Sequence, residues 1–181
     1  MKRSPALRTE KQATRKPARR GHAGQARPTA PASAALEVAA ALLFRGGRLL
    51  LTRRRQKDHL GGLWEFPGGK REPGETFAEC LRRELREELG IEADVLGLVE
   101  SITHDYPDRR VHLEFFRAEL RRGEPRPLGC QSVAWVNLEE LASYEFPAAD
   151  ARLLRKLRNS PELWRQPPGR SARAREKLRR S

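Results

Sequence analysis

The sequence predicts an α+β fold, a mixed β-sheet with helices packed on it. Three observations carry this. Apolar stretches of strand length adjoin through short turns, without regular strand–helix alternation. One segment, 76–89, has apolar residues at helical spacing between a clear start and a clear stop. A second helical pattern comes only late, at 148–158.

The elements follow in chain order. Residues 36–44, LEVAAALLF, form a continuous apolar run of strand length. Residues 48–53, RLLLTR, follow across Gly46-Gly47, a pair that reads as a hairpin turn. Residues 55–62 are a loop ending in Gly61-Gly62. Leu63-Trp64-Glu65-Phe66 is a short strand closed by Pro67-Gly68-Gly69, and 70–75 is a charged loop with a Pro73-Gly74 turn. Thr76 is a good N-cap, and Glu79 completes a capping box. The helix runs to Leu89 and stops at Gly90. Phe77, Ala78, Leu81, Leu85 and Leu89 give it one stripe to bury. Strands are expected at 94–103, 111–120 and 133–137, and short helices at 138–142 and 148–158. There is no internal repeat.

Charge divides the 181 residues into a domain at 34–162 and tails at 1–33 and 163–181. The formal net charge is +13. Residues 1–33 hold nine Lys/Arg and one acid, and 165–181 hold seven and one. The tails thus carry +8 and +6, while 34–164 nets −1. The first tail has too few large apolar residues to offset its ordering entropy and is expected to be disordered. A basic helix over Arg173–Arg180 is expected in the second. The tails read first as solvated extensions and second as weak contacts for nucleic acid. No apolar run approaches the ~20 residues of a membrane span. The Arg-rich start imitates a transit peptide, but Pro5, Pro17, Pro28 and Pro31 interrupt any amphipathic helix. Cys80 and Cys130 fit reduced thiols in a cytoplasmic protein.

Residues 69–91, GKREPGETFAECLRRELREELGI, carry the chemistry. Glu84, Glu87 and Glu88 stand at i, i+3 and i+4, so their carboxylates share one helix face, away from Leu81, Leu85 and Leu89. Crowded carboxylates repel unless a cation binds, and hard oxygens suit Mg²⁺, which also bridges phosphates. Backbone carbonyls of Gly68-Gly69 can add a ligand. Arg83 can hold a carboxylate or a phosphate by its fork. The plain alternative is a solvated charged face. The fixed spacing after a Gly-rich loop weighs against it.

The segment fills G-x5-E-x7-R-E-U-x-E-E-x-G-U, where U is a bulky aliphatic, with Gly69, Glu75, Arg83, Glu84, Leu85, Glu87, Glu88, Gly90 and Ile91. It resembles the Nudix hydrolases, and within them the MutT group, over roughly 36–158. Leu51–Arg54, Glu65–Lys70, Tyr106–Arg109 and Phe146–Asp150 add to the likeness. The resemblance implies a Nudix α/β/α sandwich with a mixed sheet. It implies water attack on phosphorus, releasing a nucleoside monophosphate and pyrophosphate, with Mg²⁺ as cofactor and Mn²⁺ able to substitute. Glu84, Glu87, Glu88 and the Gly68 carbonyl would hold the metal. Glu84 would be the general base or would orient the water, and Arg83 would position Glu84 or its neighbours. Gly69, Glu75 and Gly90 would shape the motif.

Arg54, His59, Glu65, Phe66, Pro67, Gly68, Arg109 and Asp150 would line the nucleotide pocket, with Phe66 or Tyr106 packed on the base. His59 also reads as an idle loop histidine, Arg54 as a surface arginine, and Asp150 as the N-cap of the last helix. Two departures stand out. Asp150 occupies the place of a base-reading asparagine, and Gly129 that of a metal-binding glutamate. An ionised carboxylate only accepts, whereas an amide or a protonated acid also donates. The expected activity is hydrolysis of 8-oxo-dGTP, with CTP or dCTP as the alternative. Dinucleotide polyphosphates and RNA caps stay open, as does an RNA- or nucleotide-binding module tethered by the tails. The residues do not distinguish monomer from dimer.

Overall fold

The first apolar run buries both its faces. In β1 (Leu36–Arg45), Ala40, Leu42 and Phe44 point to one side and Ala39, Ala41 and Leu43 to the other, all in core. The computed structural model describes residues 35–165. The tail expected at 1–33 and the chain beyond 165, with the helix expected at Arg173–Arg180, lie outside the described residues.

β1 is the hub of a mixed sheet. β2 (Arg48–Arg53) turns back from it across Gly46 and Gly47, whose φ values are +56° and +75°. β3 (Trp64–Glu65) and β7 (Ser132–Val136) pair with β2. β6 (Arg110–Arg122) runs parallel to β1, and β5 (Glu92–Asp105) is antiparallel to β6 through bulges at 95–100. β4 (Gly68–Lys70) pairs with β1. It was expected as turn and loop. It is a strand because the glycine lets its backbone come close: a Cβ at Gly68 would lie 2.0 Å from the Ala39 carbonyl oxygen.

α1 (Phe77–Leu89) covers one face of the sheet with Cys80, Leu81, Leu85 and Leu89. Its capping box of Thr76 and Glu79 is formed, and Gly90 closes it at φ +68°. Within the expected stripe Phe77 and Ala78 are only half-buried, and Cys80 is enclosed instead. α2 (Ala151–Asn159) covers the other face through Leu153 and Leu157. The result is the α/β/α sandwich with a mixed sheet. The helix expected at 138–142 is a 3-10 turn, Glu140–Ser143, and a further 3-10 turn, Ala148–Asp150, precedes α2.

The domain boundary expected at 162 moves outward. Trp164 is buried, packs edge-on to Phe44 at 5.4 Å and donates to the Leu157 carbonyl at 2.9 Å. Arg117 holds the Arg165 carbonyl at 2.7 Å. A single aromatic among charges gave no apolar period to read. Among the described residues no helix is long and apolar enough to cross a membrane.

Candidate active site

The site is built where β4 runs into α1. The guanidinium of Arg83 organises this junction. Its Nε and Nη2 donate to Glu75 at 2.6 and 3.0 Å, and Nη2 also reaches the Lys70 carbonyl at 3.0 Å. Nη1 donates to Glu84 at 2.8 Å and to Glu87 at 3.3 Å. The fork is therefore engaged mainly with carboxylates, the first of the two roles the sequence allowed it. Arg83, with the backbone amide of Glu72, holds the Glu75 carboxyl down at about 2. Glu75 thus ties the approach loop to the helix.

Glu84 is fixed from both sides. Arg83 grips one oxygen, and Gly69 lies against the carboxyl so closely that a Cβ there would fall 2.2 Å from the Glu84 carboxyl carbon. Glu84 and Glu88 line a cavity of about 460 Å³, a size suited to a nucleotide. Glu87 does not line it and is 59% exposed, leaning on Arg83. Burial first, then the charges of Glu84 and Glu65, push the Glu88 carboxyl up to about 7, against the pull of Arg54 and Arg55.

Of the pocket residues expected from sequence, Arg54, His59, Glu65, Phe66, Gly68, Arg109 and Asp150 all line this same cavity, with Gly69, Tyr106 and Gly129. Pro67 does not; its carbonyl accepts from the Ala41 amide at 2.8 Å and so ties the strands. Arg54 is paired with Glu65, and its Nε donates to the His59 carbonyl at 2.7 Å. Burial raises the Glu65 carboxyl and Arg54 opposes this. Phe66 is itself core, sandwiched by Phe115 and Phe146. Tyr106 is half-buried, with the His59 and His104 rings edge-on at 5.9 and 4.5 Å. Arg109 pairs with Asp108 at 2.6 Å.

Asp150 is 4% exposed, and its side chain makes no cap bond to α2, so the N-cap reading is corrected. Burial, then Glu65, push its carboxyl up to about 7, with Arg54 opposing. Gly129 donates its amide to the Glu88 carbonyl at 3.0 Å. A Cβ there would meet Glu88 Cγ at 2.7 Å, so no side chain fits without displacing that glutamate.

Sequence reading gave no role to Arg55, Cys130 or the β6 residues Val111, Leu113 and Phe115, which also line the cavity. The alternation of the β6 residues was a usable signal. Arg55 and Cys130 offered none, since neither belongs to a motif.

The donor set fits a hard divalent cation. Two carboxylates, Glu84 and Glu88, line one cavity with Gly68 and Gly69, whose backbone carbonyls are further hard oxygen donors. Cys130 is the one sulfur there, and burial raises its thiol pKa. Among the described residues no three acidic, His or Cys side chains cluster closely enough to hold an ion alone. Mg²⁺ keeps several waters and shares substrate phosphates, so two carboxylates suit it.

Comparison with known proteins places this geometry. The family model for the NUDIX domain matches residues 39–156. A CTP pyrophosphohydrolase of Escherichia coli K12 is 40% identical over 119 residues, covering 66% of this chain and 88% of that protein. An 8-oxo-dGTP diphosphatase of the same strain is 37% identical over 110 residues, covering 61% and 85%. The solution structure of a MutT protein from methicillin-resistant Staphylococcus aureus 252 matches with a TM-score of 0.58 and 30% identity, covering 70% of this chain and 97% of that one.

Proposed function

The chain belongs to the Nudix family, and from that membership we propose that it is a Mg²⁺-dependent nucleoside triphosphate pyrophosphohydrolase acting foremost on 8-oxo-dGTP. The single observation that carries the reading is one cavity holding both ends of the task. Glu84 and Glu88 stand in it together with a buried acid, Asp150, suited to a base edge. Mg²⁺, when bound, neutralises the phosphates and polarises the bond to be cut. Glu84, aligned by Arg83, takes the proton of the attacking water. Glu88 contributes negative charge to the cation site. Tyr106 is the ring exposed enough to stack on the base, since Phe66 is enclosed by core. Water adds to phosphorus, and the products are the nucleoside monophosphate and pyrophosphate.

Pyrophosphate release from a nucleotide panel tests this. We expect 8-oxo-dGTP to be cleaved faster than dGTP, and a chelator to stop both. CTP cleaved faster than 8-oxo-dGTP would establish the second reading, a pyrimidine pyrophosphohydrolase. Asp150 favours that one when ionised, because a carboxylate accepts from the cytosine amino group.

The two readings differ in pH dependence. Below about 7 Asp150 is neutral and both donates and accepts; above it the carboxylate only accepts. The kcat/KM ratio of 8-oxo-dGTP over CTP is expected to fall as pH rises from about 6 to about 8. Asp150→Asn keeps a donor and an acceptor at every pH and flattens the ratio. Equal profiles for both proteins would remove Asp150 from base reading. The same raised pKa means that the folded chain holds this proton more tightly than the unfolded one. Its stabilising contribution is full below the ordinary value of 3.8 and is lost as pH rises through about 7.

A further inference from the structure

Among the described residues three arginines line the cavity, and they differ in what holds them. Arg54 is paired with Glu65, and Arg109 with Asp108. Arg55 has no carboxylate partner among the described residues. Among those residues its one side-chain hydrogen bond runs from Nη2 to the Leu128 carbonyl at 2.8 Å. A bond to a neutral carbonyl fixes the guanidinium while leaving its charge and most of its donors uncommitted.

The neighbourhood explains why this cation matters. Leu128 precedes Gly129, whose backbone lies directly on Glu88. The segment 123–131 therefore reaches the metal-binding corner without a side-chain carboxylate. Its only acid, Glu124, is held away by two bonds of 2.7 Å to Arg45. Arg55 faces the same cavity as Glu88 and is close enough to oppose the rise in the Glu88 pKa. At this corner the protein offers positive charge of its own, in a planar fork that matches phosphate oxygens.

We propose that Arg55 is a substrate-binding residue that takes the polyphosphate end of the nucleotide, with the Leu128 carbonyl fixing its guanidinium beside Gly129. The assignment rests on the reading of the substrate as a nucleoside triphosphate and deepens it. One arginine at this corner distinguishes substrates by the number of phosphates, a task separate from that of Asp150.

Titration calorimetry with a non-hydrolysable α,β-methylene triphosphate and with the matching nucleoside monophosphate tests it. Arg55→Ala is expected to weaken the triphosphate about ten-fold and to leave the monophosphate within about two-fold. The loss shrinks in high salt, and Arg55→Lys recovers part of it. Equal weakening of both ligands would make Arg55 a mere tether of the 123–131 segment and overturn the assignment. Unchanged affinity for both, with the wild type still preferring the triphosphate, would overturn it as well. A wild type without that preference overturns the triphosphate reading itself, and the role of Arg55 with it.

Discussion

Glu88→Gln is expected to lower turnover on the order of 10³-fold while leaving the fold intact. The amide keeps the shape but removes the charge that draws a cation into the cavity beside Glu84. Stability moves the other way. The Glu88 carboxyl is pushed up to about 7 by burial and by neighbouring acids, so its ionisation opposes folding as pH rises through that value. The variant is therefore expected to melt no lower than the wild type above pH 7 in the absence of divalent ions. Added Mg²⁺ raises the melting temperature of the wild type by binding the folded state, and the variant gains much less. Retained turnover would take Glu88 out of the machinery. A lowered melting temperature would mean that the glutamate is structural.

Gly68→Ala is the largest expected loss of stability. A methyl at this position would lie 2.0 Å from the Ala39 carbonyl oxygen and 2.8 Å from the Ala40 Cα. Both are backbone of the central strand and cannot swing aside. β4 must lift from β1, loosening the pairs Val38–Lys70, Ala39–Gly69 and Ala40–Gly68. The cost is about 3 kcal/mol, which for a domain of this size lowers the melting temperature by roughly 10 °C. Gly97→Ala is the matched control, since nothing lies within 4 Å of that position and it needs no positive φ. It is expected to change stability by less than about 0.5 kcal/mol. Calorimetric melting of the two variants side by side checks both. A Gly68→Ala protein as stable as the control would mean that β4 does not depend on close approach.

The residues differ in how far they could be read in advance. α1 was legible to its caps, because the Thr76–Glu79 box, the spacing of Leu81, Leu85 and Leu89, and Gly90 are all local. The Gly46-Gly47 hairpin was legible for the same reason. β4 was not, because two glycines beside a proline read as a turn until the strand they approach is known. Trp164 was not, because its partners Phe44 and Leu157 come from elsewhere in the chain. The helical spacing puts Glu84, Glu87 and Glu88 on one side. It does not say that Arg83 draws Glu87 outward while Glu84 and Glu88 face the cavity.

The sequence by itself determined the family. Nine residues in register on one loop and helix specify acidic oxygens and an arginine to hold them, and that information is local. It also determined the α+β class, through periodicity and local turn and cap signals. Only the tertiary structure decided how the substrate end of the site is made. Asp150, Glu65, Arg54, Arg55 and Gly129 come from four separate segments and meet in one cavity. Whether Asp150 is a cap or a buried acid with a raised pKa, and whether Arg55 is idle or pinned to the Leu128 carbonyl, depends on burial and on long-range partners. Burial and electrostatic neighbourhood are properties of the packed chain, so no local pattern of residues encodes them.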